Sequence, residues 1–365
     1  MSGLVFAAGR PWPQLLKSVL DQLDPAAEPA DLGLVFLADP VTEMADVMLD
    51  GLRARTGIRI WLGAASSAVF AGGRELAGEG AIAALPLRLG ATRLLPFSGR
   101  LPSGARDGLA GIVHLPDAAD ASRVLASLVG TTGCRLVGGQ SASTFDHAQI
   151  TVSPSAGAAT GVLLEGGARL VSGISYACRR LGPVRRVTAA RGATILTLDD
   201  APAAEVLAGE AGELLLHDSR RLSRQLLAAG LASDQTATDG LVLPPLLYGV
   251  ARVSRADGGV ELLDLPAGAS LPGRIAFHQR DPQLALRELE SLAERLLGEL
   301  DGRPPIAALL YSSIQRGSRF FGPGVDEAAV LAGRLGPVPL IGMRSNAEIA
   351  EGGINRYSTA LALIG

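Results

Sequence analysis

Two charged residues stand where they could do chemistry: Arg316, in the glycine-flanked loop YSSIQRG (311–317), and Glu348, near the end of the glycine-opened turn LIGMRSNAEI (340–349). A guanidinium offers a planar fork of donors to a carboxylate, and a carboxylate is a natural partner for an ammonium. The pair therefore predicts a site for a small polar metabolite carrying both groups, an amino-acid-like ligand. Ser313, Gly317, Gly342, Ser345 and Asn346 would line it with backbone N–H groups and short polar side chains at the ends of apolar runs. The same frame recurs in WLGAASSAVFAGG (61–73), where Gly63 aligns with Gly342 and Ser66 with Ser345, and Ser67 follows. LVGGQSAS (136–143) reads as a third copy. The first copy has Val69 where the last has Glu348, so if one copy binds charge it is the last.

Plainer roles stay open for these residues. The serines and Asn346 can close turns through side-chain to backbone hydrogen bonds. Arg316 and Glu348 can pair with each other. Cys178 is either a small core residue or, beside Arg179 and Arg180, a thiolate at the site. GQSAS (139–143) is a near miss to the nucleophile elbow and makes Ser141 a hydrolase candidate, but Ser143 replaces the final glycine. GEGAIA (78–83) matches a dinucleotide fingerprint in a stretch that reads as a strand, the wrong context for one. His114, His147, His217 and His278 share no ligand spacing with each other or with Cys134 and Cys178, so no metal site is expected.

Composition narrows the classes further. The 365 residues are 48% hydrophobic, 19% charged and 4% aromatic, which describes a folded chain with an aliphatic core, long enough for two domains. Net charge is −3 and the arginines are dispersed, so no nucleic-acid stripe stands out. Lys17 is the single lysine, which leaves no P-loop Gly-Lys pair. No run of eighteen apolar residues and no signal-like N-terminus occurs, so a cytoplasmic protein with no membrane partner is expected.

The elements that must position these residues follow from periodicity. LGLVFLADP (32–40) reads as a buried strand, with Asp39 as an N-cap and Pro40 opening a helix. IRIWLG and GAIAALPL follow as strands. The order strand, helix, strand, strand returns at 111–165 and at 306–364. The predicted fold is therefore α/β: repeated β-α-β-β units forming mixed sheets covered by helices, internally duplicated. Between the second and third units come short strands, with a hairpin at Arg191-Gly192, and then a helix over 202–229. A polar stretch, ASDQTATDG (232–240), marks a domain boundary, and an amphipathic helix begins at Pro282.

These motifs resemble those of the FIST proteins, a bacterial sensory and signal-transduction family. YSSIQRG is similar to the family's Phe-Ser-Cys-x-Gly-Arg-Gly loop, with Ser313 in place of cysteine. FGPGVDEAAVLAGRLGPVPLIGMRSNAEI is similar to the stretch ending Gly-Glu-Ile, with Ala347 in place of glycine. GISYACRRLGPVRRVTAARGATILTLDDAPAAEVL (173–207) resembles its middle segment, with Asp200 in place of a glycine. The resemblance implies residues 1–29 as a lead-in, 30–235 as a FIST N-terminal domain and 236–365 as a FIST C-terminal domain. It also implies an amino-acid-like ligand and, because no output domain is recognised, a separate signalling protein addressed in trans. Some members bind haem as gas sensors; where many carry a histidine near the C-terminus this chain reads Arg356-Tyr357, which disfavours that cofactor.

Overall fold

The computed structural model describes residues 3–24, 30–117, 120–130, 133–145, 149–150, 154–155, 158–212, 224–231, 246–254, 256–265 and 270–365. They cluster into two compact units: residues 1–175 with 286–365, and residues 176–285. The boundary expected in 232–240 lies outside the described residues.

The first unit opens with β1 (Val5–Ala8), α1 (Trp12–Gln22), β2 (Leu32–Ala38), α2 (Ala45–Thr56) and β3 (Trp61–Ser66). It continues through β4 (Ala68–Ala71), β5 (Arg74–Ala77), β6 (Ala81–Leu87), β7 (Arg93–Ser98), β8 (Ala110–Leu115), α3 (Ala121–Val129) and β9 (Arg135–Gln140). Next come β10 (Gln149–Ile150), β11 (Pro154–Ser155), β12 (Thr160–Glu165) and β13 (Leu170–Ser175). Residues 1–29, read as a lead-in, thus supply a strand and a helix, and β1 pairs antiparallel with β6. Asp39 does not cap a helix. A 3-10 turn, Val41–Met44, intervenes before α2, and the Asp39 carboxylate accepts instead from Ser143 Oγ (2.5 Å) and Thr144 N (2.7 Å).

The second unit holds β14 (Cys178–Arg180), β15 (Arg185–Arg191), β16 (Thr194–Leu198), β17 (Ala201–Pro202), α4 (Ala203–Ala211), β18 (Leu226–Leu231), β19 (Leu246–Val253), β20 (Val260–Leu262) and β21 (Arg274–Arg280). All its pairings are antiparallel, and β18 joins both β19 and β21, so the sheet closes on itself around Leu198, Leu207, Tyr248 and Phe277. The helix expected over 202–229 stops at Ala211, and Leu226–Leu231 is a strand. Its Leu226, Leu227, Ala228 and Ala229 are buried on both faces, a pattern that periodicity alone does not separate from a buried helix.

The chain then returns to the first unit through α5 (Pro282–Glu299), β22 (Ala307–Ser313), α6 (Glu327–Leu335), β23 (Leu340–Ser345), β24 (Glu348–Ala350), β25 (Gly353–Asn355) and β26 (Thr359–Ile364). Three six-stranded mixed sheets result, with orders β1-β6-β2-β3-β10-β11, β7-β12-β8-β9-β24-β25 and β13-β26-β22-β23-β4-β5. In each, a central parallel pair (β2–β3, β8–β9, β22–β23) is flanked by an antiparallel return strand, and the far edge is a short strand pair drawn from another part of the chain.

Alternation divides each central strand between two cores. Leu34 and Phe36 of β2, Ile112 of β8, and Leu309 and Tyr311 of β22 face one shared interior. Their neighbours Val35, Val113 and Leu310 face helices: α1 and α2 on the first sheet, α3 on the second, α5 and α6 on the third. The apolar runs of the central strands follow from burial on both faces. At the middle of the interior Phe36, His114 and Tyr311 meet, with ring centroids 5.3 to 6.1 Å apart.

Candidate functional site

Of the residues expected at the ligand site, all but Cys178 and Arg179 lie in the first unit, but closed upon one another or their neighbours. Arg316 is wholly buried and pairs with Glu327, through Nε (3.0 Å) and Nη2 (2.8 Å) to Oε1, rather than with Glu348. Glu327, the first residue of α6, also accepts from Thr359 Oγ1 (2.8 Å), Ser312 Oγ (2.5 Å) and Arg344 Nη1 (3.3 Å). Burial pushes the Glu327 carboxyl up, but Arg316 and Arg344 outweigh it and hold it below the ordinary carboxylate range. Arg344 extends the cluster to Glu75 through two hydrogen bonds, of 2.9 and 2.6 Å. Phe320 and Phe321 cover Arg316, with ring centroids 5.9 and 5.6 Å from its guanidinium carbon.

Glu348 is likewise enclosed. It accepts from Ser345 Oγ (2.9 Å), Ser358 Oγ (2.6 Å) and Ser358 N (3.2 Å), and burial pushes its carboxyl up to about 8, which favours the protonated form. Ser313 is buried and its hydroxyl accepts from Gln315 N (3.3 Å); Gly317 follows that turn in extended backbone.

The serine turns fasten the three sheets together. Ser66 Oγ donates to the Arg344 carbonyl (2.6 Å) and Ser141 Oγ to the Ala65 carbonyl (2.5 Å). Ser67 N donates to the Ala142 carbonyl (3.1 Å), and Asn346 donates to Asp117 Oδ1 and the Ser141 carbonyl. The glycines have a packing reason: a Cβ on Gly63, Gly138 or Gly342 would lie 1.6, 1.7 or 1.8 Å from the carbonyl oxygen of Val35, Val113 or Leu310. The turns that follow Gly63 and Gly342 are thus joined directly, through Ser66 and Arg344.

Ser141, the hydrolase candidate, is wholly buried. Its hydroxyl is buried against a carbonyl, while His114 Nε2 engages Tyr311 Oη (2.9 Å) and His278 Nδ1 lies 3.1 Å from the Ala276 carbonyl. Burial pushes the His114 imidazole down to about 3, and its ring packs against those of Phe36 and Tyr311. Tyr357, at the position expected to disfavour haem, is buried. His147 and His217 lie outside the described residues. Cys178 and Arg179 lie on β14 of the second unit, where Arg179 Nη2 donates to Gln279 Oε1 (2.9 Å). Among the described residues no group of histidine, cysteine, aspartate or glutamate is arranged to hold a metal ion.

An open pocket lies elsewhere in the first unit. About 340 Å³ in volume, it is bounded by the turn from β1 into α1, the 3-10 turn after β2, and the turn from β5 into β6. Trp12, Val41 and Met44 give it apolar walls; Arg10, Glu43 and Glu79 bring charges of both signs. Gly9, at φ +68°, carries the chain past Glu79, whose Oε2 would stand 3.6 Å from a Cβ there. Among the described residues none of these three charges has a hydrogen bond or ion pair, in contrast to the buried arginines. The sequence did carry a signal for this site: GRPWPQ (9–14) places one of the two tryptophans between prolines, at the first residue of a helix, where its ring extends over the preceding turn.

Comparison with known proteins bears on the same unit. The family model described as FIST N domain matches residues 31–201. FIST domains mark a sensory, signal-transduction family. The chain is also similar to the uncharacterized protein Rv0628c of Mycobacterium tuberculosis, at 27% identity over 54% of this chain and 51% of that one. It is similar as well to the uncharacterized protein Mb0898c of Mycobacterium bovis, at 28% identity over the same shares. The chain thus spans about half the length of the curated relatives it matches. Among the described residues no helix is long and apolar enough to cross a membrane.

Proposed function

We propose that this is a cytoplasmic sensory protein that binds a small polar, amino-acid-like metabolite between Arg10, Trp12, Glu43 and Glu79, and reports the bound state to a separate signalling partner. The observation that carries this reading is the pocket itself: three charges of both signs, unpartnered among the described residues, around an apolar wall. Ligand sites commonly combine apolar walls with a few orienting polar groups. The FIST N domain supports the sensory half of the reading. In this reading residues 236–365 are the FIST C-terminal domain, and the protein needs neither a cofactor nor a catalytic residue. The three mixed sheets are copies of one β-α-β-β unit; their common strand order and the matching registers of Gly63, Gly138 and Gly342 support duplication.

The test is thermal stability across a panel of small metabolites. A ligand that binds only the native state stabilises it by about 2.7 kcal/mol at one hundred times its Kd. At least one zwitterionic compound is expected to raise Tm, and Arg10→Ala is expected to remove the rise while leaving the ligand-free Tm unchanged. A flat response to every zwitterion would overturn the reading.

A further inference from the structure

The charge count of the pocket goes beyond a generic polar ligand, and rests on the reading above that this pocket binds one. A purely anionic ligand would meet Glu43 and Glu79, and a purely cationic one would meet Arg10, so the occupant must carry both signs. The two carboxylates against one guanidinium leave a single negative charge unbalanced. A neutral zwitterion satisfies Arg10 and one glutamate and leaves the other bare. A ligand with one carboxylate and two cationic groups satisfies all three.

We propose that the pocket selects a basic α-amino acid: its carboxylate on Arg10, its α-ammonium on one glutamate, and its side-chain cation on the other. The wall suits the methylene stem of such a molecule, because Val41 and Met44 are apolar, and Trp12 adds an indole, the ring type that attracts cations most strongly. The volume agrees, since about 340 Å³ is at the small end of the roughly 300–1,000 Å³ range of ligand pockets. All three charged side chains are exposed, so each pairing is screened by water and discrimination is modest.

Isothermal titration of the full chain at low ionic strength with L-lysine, L-alanine, L-glutamate and cadaverine tests this. L-lysine is expected to bind about fivefold tighter than L-alanine, which has no second cation. L-glutamate and cadaverine, which lack the matching charge pattern, are expected to bind more weakly than L-lysine. One of Glu43→Gln and Glu79→Gln is expected to bring L-lysine down to the affinity of L-alanine without moving Tm. If L-alanine or L-glutamate binds as tightly as L-lysine, the charge assignment fails while the pocket reading stands. If cadaverine matches L-lysine, Arg10 does not read a carboxylate and the assignment also fails. If none of the four binds, the pocket reading fails with it.

Discussion

Glu327 holds two arginines in a space closed to water, and that makes it a structural residue before anything else. Removing one member of a buried ion cluster strands the others, at a cost of about 3–5 kcal/mol. Glu327→Ala is therefore expected to lose about that much in urea unfolding, whereas Glu79→Ala, at the exposed pocket, should lose almost nothing. Two buried titrating groups shape the pH response in opposite senses. The Glu348 carboxyl, held near 8 against an ordinary 4.5, keeps its proton in the fold after the unfolded chain has released it, so stability falls as pH rises from about 4.5 to about 8. His114, held near 3 against 6.5, is neutral in the fold, and stability falls as pH drops from about 6.5 towards 3. Between about 4.5 and 6.5 the two slopes oppose, so Tm should be nearly level there and decline on either side. Glu348→Gln should abolish the alkaline decline and expose the His114 slope. An alkaline decline unchanged in Glu348→Gln would show that another group causes it.

The parallel pairs β2–β3, β8–β9 and β22–β23 depend on glycine at one register position, where a side chain would strike the facing carbonyl. Gly138→Ala is expected to prevent the chain from accumulating in folded form, since its Cβ would lie 1.7 Å from Val113 O. Gly333 in α6 is the contrasting case: nothing lies within 4 Å of its Cβ position, and Gly333→Ala should stabilise by about 0.5–1 kcal/mol in the same assay. These strands were legible in the sequence because each is an apolar run ending at a turn, and the paired Gly–Ser turns gave away their likeness. Their edge strands were not. Ser67 alone separates β3 from β4 in a stretch that reads as a glycine-opened turn after a strand, yet β4 pairs with β23 in a different sheet. Arg316 and Glu348 were recognised as unusual, with a ligand or each other as partners; within the fold Arg316 pairs with Glu327, and Glu348 with Ser345 and Ser358. Glu327 looks in sequence like an ordinary first-turn acid of a helix, and only the fold brings it beneath Arg316.

At the scale of the whole molecule, the chain leaves its first unit at Ser175, builds a closed antiparallel sheet over 176–285, and returns. The pocket belongs wholly to the first unit, as does most of the FIST N match. Ligand should therefore stabilise the unit that carries the pocket, and calorimetry with and without L-lysine should show the shift in that unit's transition. The two tryptophans give the most direct measurement. Trp61 is fully buried, whereas Trp12 is 38% exposed and lines the pocket, so tryptophan emission reports on the site through Trp12. Titrating the full chain with L-lysine should give a saturable emission change that disappears in Trp12→Phe and in Arg10→Ala. No change, or a change that survives Trp12→Phe, would contradict ligand binding at this pocket.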